Sequence, residues 1–92
     1  MFGQFKVLGG DFKTGDGKGQ FSFGTLSLYD LKKHSFTADT KYQESQIRSV
    51  EPQLQKGGKM TFVCRLSDGR KFIGEAEVDI YQRLLVAALA NG

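Results

Sequence analysis

The residues that come closest to a chemical motif form a glycine-rich run, Gly15-Asp16-Gly17-Lys18-Gly19. A phosphate-binding loop needs a lysine followed by Ser or Thr, whereas Gly19 follows Lys18 here. The dinucleotide pattern fails as well, because Gln20 stands where its third glycine belongs. The run is therefore expected to be a hairpin loop, with anion binding by its lysines as the alternative.

The other reactive side chains have no obvious partners in the sequence. His34 is the only histidine and Cys64 the only cysteine, so they supply neither a paired metal site nor an intrachain disulfide. Cys64 falls on the inward side of a predicted strand and is expected to be a buried, inert thiol. Glu75 and Glu77 form a carboxylate pair that we expect to be used in cross-strand charge pairs with nearby bases, namely Arg65, Arg70 and Lys71. We therefore expect a chain without enzyme activity, metal or cofactor.

Composition narrows the class of protein further. The 92 residues are 39% hydrophobic and 25% charged, which favours one folded domain over residues 1–92 and argues against disorder. The net charge of +3 is mixed along the chain, and the phenylalanines alternate with polar residues as core positions do, so nucleic-acid binding is disfavoured. The start of the chain lacks a signal-peptide pattern, and the longest apolar run, Leu84 to Ala90, is too short to span a bilayer. The sequence thus predicts a cytoplasmic protein.

The clearest structural element is a hairpin from Lys59 to Glu77. Apolar residues alternate with polar ones along its first half, and Ser67-Asp68-Gly69 supplies the turn. A two-residue turn would place apolar residues opposite charged ones, whereas a three-residue loop with Gly69 in the left-handed conformation keeps apolar partners on one face. We therefore predict the second register, with three core pairs and one pair on the opposite surface: Cys64 with Phe72, Phe62 with Gly74, Met60 with Ala76, and outside them Val63 with Ile73.

The last segment changes to helical spacing. Asp79 is placed to cap a helix over about residues 79–90, with Gln82 completing a capping box. One face is expected to pack on the sheet through five residues, which are Ile80, Tyr81, Leu84, Leu85 and Ala88. Val86 and Leu89 point elsewhere, and two interpretations remain open for them: a self-association surface, or scattered exposure of single apolar side chains.

The first half of the chain is predicted to be β-structure. Phe21 and Phe23 are in one phase and Leu26 and Leu28 in the other, so a β-bulge or sharp bend is expected at Gly24. Further predictions are a turn at 30–33, a return strand at 34–38, a short strand at 47–50 that ends before Pro52, and a turn at 56–59. Because Pro52 has no N–H to donate, it is expected at a sheet edge or at a strand end.

The predicted order is six or seven strands followed by one terminal helix. Because no helix separates successive strands, a parallel sheet built of βαβ units is excluded. The sequence therefore predicts a mainly β fold: an antiparallel, bent sheet or partial barrel with one end plugged by the C-terminal helix.

The chain resembles the pleckstrin-homology/GRAM superfold, especially its small bacterial versions. The resemblance rests on the strand Ile47-Arg48-Ser49-Val50-Glu51, on the hairpin that turns at Asp68-Gly69, and on the closing helix, and it extends from about residue 5 to 90. The chain departs from many eukaryotic members in having no tryptophan in that helix. The resemblance implies a binding platform for peptides, lipid headgroups or other proteins, and it implies no activity.

Two binding modes follow as expectations. The first is a non-enzymatic module that binds a protein partner or its own copy, with Val86 and Leu89 at the contact. The second follows from the resemblance, because lipid-binding relatives carry basic residues in their first hairpin loop. Lys6, Lys13 and Lys18 would then bind an anionic headgroup or phosphate, although Asp11 and Asp16 weaken the positive field.

Overall fold

The computed structural model describes residues 3–11, 17–29 and 40–91 of the chain. Seven strands and one long helix occupy these residues, with a single 3-10 turn, Glu44–Gln46, after the fourth strand. The elements are β1 Gln4–Gly10, β2 Lys18–Ser22, β3 Thr25–Tyr29, β4 Thr40–Gln43, β5 Ile47–Lys56, β6 Lys59–Leu66, β7 Lys71–Glu77 and α1 Val78–Asn91.

The strands form one antiparallel sheet in the order β4-β3-β2-β1-β7-β6-β5. β1 joins two meanders, because it pairs with β2 on one side and with β7 on the other. The sheet curls into a half-barrel, and α1 packs on its inner side, mainly against β5, within overall dimensions of 33 × 29 × 26 Å. The predicted mainly β fold, a bent antiparallel sheet with one C-terminal helix, is confirmed. The assignment of residues 1–92 to one domain remains a prediction.

The central hairpin has the predicted register. Cys64 lies opposite Phe72 and Phe62 opposite Gly74, while Val63 faces Ile73 on the opposite face of the sheet, where Val63 is buried and Ile73 half-buried. The amide of Leu66 donates to the carbonyl of Arg70 at 2.9 Å, and Gly69 has a φ of +89°, so three residues form the loop. Burial of one apolar face thus fixes the register, as expected from the period of two along each strand.

Inward side chains from most strands and from α1 form one core. Four aromatic rings lie at its centre, those of Phe5, Phe62, Phe72 and Tyr81. The ring of Phe5 stacks on that of Phe72 with centroids 5.7 Å apart, and Phe62 meets Phe72 edge to face at 6.1 Å. These packing geometries are the ones that aromatic quadrupoles favour.

Helix α1 begins at Val78, one residue before the predicted start, so Asp79 lies inside the first turn rather than at the cap. A carboxylate in the first turn still interacts favourably with the positive end of the helix dipole. The predicted inward residues Ile80, Tyr81, Leu84 and Ala88 are buried, and Leu85 is half-buried against the core.

The sharp bend predicted at Gly24 is confirmed, whereas the placement of Phe23 in phase with the core and the end of β5 were predicted wrongly. Phe23 and Gly24 form a two-residue turn between β2 and β3, since Ser22 pairs directly with Thr25. The change of phase therefore comes from a sharp bend between two strands and not from a bulge, and Phe23 lies outside the core. Strand β5 does not stop before Pro52 but continues to Lys56, with register shifts after Ile47 and after Pro52. Pro52 has no N–H to donate to a neighbouring strand, and it is tolerated here because β5 is an edge strand.

The predicted turn at 56–59 is confirmed, with Gly57 at a φ of +63° between β5 and β6. The predicted turn at 30–33 and return strand at 34–38 lie outside the described residues, as do His34 and Lys13.

Candidate functional site

Chemistry-bearing groups are sparse in the part of the chain that the structure describes. No cluster of three or more His, Cys, Asp or Glu side chains there is arranged to hold a metal ion. Cys64 is fully buried, as predicted, and burial raises the pKa of its thiol to about 12, so the thiol stays protonated. No helix among the described residues has both the length and the apolar content needed to cross a membrane.

The predicted charge pairs of Glu75 and Glu77 with Arg65, Arg70 and Lys71 were wrong. Glu75 lies opposite Thr61 on one side and Lys6 on the other, and Glu77 lies opposite Lys59. Arg65 instead approaches Glu51 at 3.7 Å, and Arg70 pairs with Asp68. The expectation failed because the register of the β6–β7 hairpin, together with the pairing of β1 with β7, decides which charges lie opposite each other.

Two of the three predicted anion-binding lysines are brought together by the fold. Lys6 on β1 and Lys18 on β2 are direct cross-strand partners, and both are exposed on the outer face of the sheet. Lys13, the third, lies outside the described residues. Like charges directly opposite each other are mutually unfavourable, so this pair gains from an anion placed between them.

The surface around these lysines carries no opposing charge from its own strands. The described residues of β1 to β4 include Lys6, Lys18 and Lys41 and no Asp or Glu. Lys41 lies one row further along, opposite Ser27. The nearest strand carboxylate is that of Glu75 on β7, on the other side of Lys6. The outer face of this half of the sheet is therefore cationic and polar.

The predicted self-association residues also lie on a surface. Val86 exposes 65% of its area and Leu89 exposes 70%, whereas the apolar residues before and between them are turned inward. The two positions are three residues apart, which places them on the same side of a helix. Val86 and Leu89 therefore lie on the outward side of α1, as the sequence predicted.

A polar cluster that the sequence did not reveal closes the curled sheet. The hydroxyl of Tyr42, on edge strand β4, donates to Oδ2 of Asp68 at 2.7 Å, although Asp68 lies in the distant β6–β7 loop. Arg70 Nε also donates to Asp68 Oδ2, at 2.9 Å, and the Arg70 guanidinium lies 5.6 Å from the centroid of the Tyr42 ring. Tyr42 is only 3% exposed, so these contacts join a buried side chain to the loop across the opening of the half-barrel.

The cluster shifts the proton equilibria of its members. Burial, followed by the hydrogen bond to Asp68, raises the pKa of Tyr42 to about 12. The Tyr42 hydroxyl and then the backbone N–H of Arg70 hold the pKa of Asp68 at about 2. Part of this arrangement could have been predicted, because an Asp in a tight loop commonly accepts from the N–H two residues on, as Arg70 donates to Asp68 Oδ1. The partnership with Tyr42 has no local signal.

A pH-dependent stability follows from the lowered pKa of Asp68. A carboxyl group whose pKa is lower in the folded state stabilises the fold above its ordinary value of 3.8, and that contribution is lost as pH falls through about 2. Urea unfolding across this range should show a steeper loss of stability for the native chain than for Asp68→Asn. Tyr42→Phe should show an intermediate slope, because the hydrogen bond that contributes most is gone. Parallel curves for all three proteins would contradict the assignment.

The polar cluster has the character of a structural closure, since its carboxylate is already paired with both Tyr42 and Arg70. Among the described residues, the two surfaces to which the sequence pointed are the cationic outer face of β1 to β4 and the outward side of α1. In comparisons with known proteins, no protein-family model, no curated protein and no solved structure matches this chain.

Proposed function

We propose that this chain is a non-enzymatic binding module that associates with a second copy of itself through the outward side of α1. The observation that supports this most is the exposure of Val86 and Leu89 on one side of a helix whose other large apolar residues pack inward. Burying a Val or Leu side chain is worth about 1.5–3 kcal/mol, so covering both from each copy favours association.

A second copy is the occupant that this surface suits best. An antiparallel contact between two copies of α1 needs only one patch, because the same residues serve both sides of a two-fold interface. The exposed edge of β5 is less suited to self-pairing, since Pro52 lacks an N–H and the strand contains two register shifts. The proposed contact is small and predicts weak, reversible association.

Sedimentation velocity over a range of concentrations tests this proposal. We expect the average mass to rise with concentration for the native chain and to stay that of a monomer for Leu89→Glu. Leu54→Glu is the matched control, because Leu54 is 62% exposed on β5 and undergoes the same chemical change away from α1. A native chain that remains monomeric at high micromolar concentration, or equal effects of the two variants, would remove the proposal.

The fold family and the cellular compartment of the chain form part of the same proposal. The curled antiparallel sheet with a terminal helix is compatible with the pleckstrin-homology/GRAM superfold, which commonly serves as a binding platform. The buried free thiol of Cys64 suits a reducing, cytoplasmic setting.

A second candidate function is supported by the cross-strand pair of Lys6 and Lys18. Two ammonium groups held on neighbouring strands favour an anionic headgroup or phosphate between them, and the carboxylate of Glu75 lies on the other side of Lys6, away from Lys18. Surface ion pairs are individually weak, so binding through this site should be strongly salt-dependent.

Vesicle sedimentation distinguishes this candidate from the first. We expect the chain to pellet with vesicles containing phosphatidylserine and not with pure phosphatidylcholine, and Lys6→Ala with Lys18→Ala to abolish pelleting. Lys56→Ala with Lys59→Ala is the matched control, because these lysines are also cross-strand partners, at the far end of the β5–β6 hairpin. Loss of binding in both double variants would indicate a net-charge effect and would contradict a site at Lys6 and Lys18.

A further inference from the structure

The turn between β2 and β3 carries an aromatic residue that contributes nothing to the core. Phe23 is 96% exposed, and its φ of 53° places it in the left-handed region, next to Gly24 at 74°. Two positive φ values between directly paired strands define a type I′ turn, for which Asn-Gly is the preferred sequence. A bulky residue at the first position is disfavoured there, so folding does not account for the phenylalanine.

Phe23 borders a depression of about 460 Å³ at one end of the molecule. The lining comes from three separate elements: the β2–β3 turn, the 3-10 turn with the residue before it, and the last residue of α1. The residues are Phe23, Gly24, Gln43, Glu44, Ser45 and Asn91.

Hydrogen bonds hold these three elements together. The amide of Glu44 donates to the carbonyl of Gly24 at 2.8 Å, which joins the 3-10 turn to the hairpin turn. Asn91 Nδ2 donates to the carbonyls of Glu44 at 2.7 Å and Ile47 at 3.2 Å, which joins the end of α1 to the same place. The depression is therefore built on fixed backbone, and the Phe23 side chain is the part that projects from it.

The electrostatics of the depression are negative. Oε2 of Glu44 lies 3.2 Å from where a Cβ on Gly24 would stand, so the carboxylate sits at the turn beside Phe23. Glu44 forms no ion pair with any residue in the described ranges. The carboxyl end of a helix carries partial negative charge, and the last turn of α1 has no basic residue to offset it.

We propose that this depression binds an arginine side chain presented by a partner protein. The carboxylate of Glu44 supplies the counter-charge, and the ring of Phe23 supplies a face on which a planar guanidinium stacks. Charge complementarity selects this occupant, because an acidic or purely apolar segment would leave the Glu44 carboxylate unpaired or repelled. The site is separate from the proposed self-association surface, since Leu89 is exposed whereas the Asn91 side chain is directed toward Glu44 and Ile47.

Titration of the ¹⁵N-labelled chain with a blocked glycine–arginine–glycine tripeptide tests the proposal. We expect amide shifts to cluster at Gly24, Glu44 and Ser45, to weaken with added salt, and to be absent with the glycine–glutamate–glycine tripeptide. Phe23→Asn and Glu44→Gln should each weaken binding about tenfold or more. Phe23→Asn keeps the turn intact, because Asn is favoured at the left-handed position.

The controls separate this site from the rest of the surface. Glu77→Gln removes an exposed carboxylate elsewhere and should leave tripeptide binding unchanged. Leu89→Gln removes the exposed apolar side chain without adding charge to the last turn of α1 and should also leave tripeptide binding unchanged, so the arginine site and the self-association surface fail independently. Absence of shifts at millimolar tripeptide, shifts centred on other residues, or unaltered affinity in both Phe23→Asn and Glu44→Gln would overturn the proposal. Equal binding of a lysine tripeptide would overturn the preference for arginine.

Discussion

Replacing Phe62 with alanine should lower the free energy of unfolding by about 3–5 kcal/mol. Phe62 is fully buried at the centre of the aromatic group, with ring centroids of Phe5 and Phe72 both 6.1 Å away and that of Tyr81 at 5.8 Å. Its removal leaves a cavity bordered by the sheet and by α1. The rings around this cavity come from β1, β7 and α1, so movement of a single side chain cannot fill it.

Urea unfolding followed by circular dichroism measures this loss. Phe23→Ala is the matched control, because the same atoms are removed from a side chain that is almost wholly exposed, and its stability should change little. A small effect of Phe62→Ala, or comparable effects of the two substitutions, would mean that Phe62 does not pack between the sheet and α1.

The second large effect is expected at Gly10, where β1 ends against β7. Its φ of +110° is one that L-residues rarely adopt, and an added Cβ would lie 2.6 Å from the carbonyl oxygen of Lys71 and 2.7 Å from Cα of Phe72. Both obstacles are backbone atoms, so no side-chain rotation relieves them. Gly10→Ala should therefore destabilise the chain by roughly 2–4 kcal/mol through strain and overpacking together.

The neighbouring glycine provides the control for this prediction. A Cβ on Gly9 would meet nothing within 4 Å, so Gly9→Ala should be close to neutral. Gly10→Ala should also weaken the contacts just beyond it, where Asp11 and Lys71 exchange hydrogen bonds of 2.9 Å. Thermal unfolding of the two variants side by side checks the difference, and equal melting temperatures would contradict the β1–β7 geometry.

The parts of the fold that were predictable from sequence are those set by local periodicity. The register of the β6–β7 hairpin followed from alternation on both strands and from Gly69, and the inward residues of α1 followed from helical spacing. The failure at Phe23 has a physical reason. An alternating pattern continues unchanged through a two-residue turn, so Phe21 and Phe23 looked equivalent although only Phe21 is buried.

The end of β5 was missed for a related reason. Pro52 stops a central strand but not an edge strand, and edge position depends on the order of strands in space. Contacts between residues distant in sequence also determine how the candidate site residues are arranged. Lys6 and Lys18 were selected for their charge, yet their direct pairing comes from the β1–β2 register. The bond between Tyr42 and Asp68 joins residues 26 positions apart, across the curl of the sheet, and no local pattern encodes it.

The most direct test of the proposed function is the concentration dependence of the amide spectrum. As the native chain passes from low micromolar to millimolar concentration, we expect shifts to grow at the outward residues of α1, Gln82, Val86 and Leu89, and to remain small at Lys6 and Lys18. Leu89→Glu should remove the dependence. A spectrum that does not change with concentration, or changes that cluster along the edge strands instead of α1, would contradict self-association through the helix.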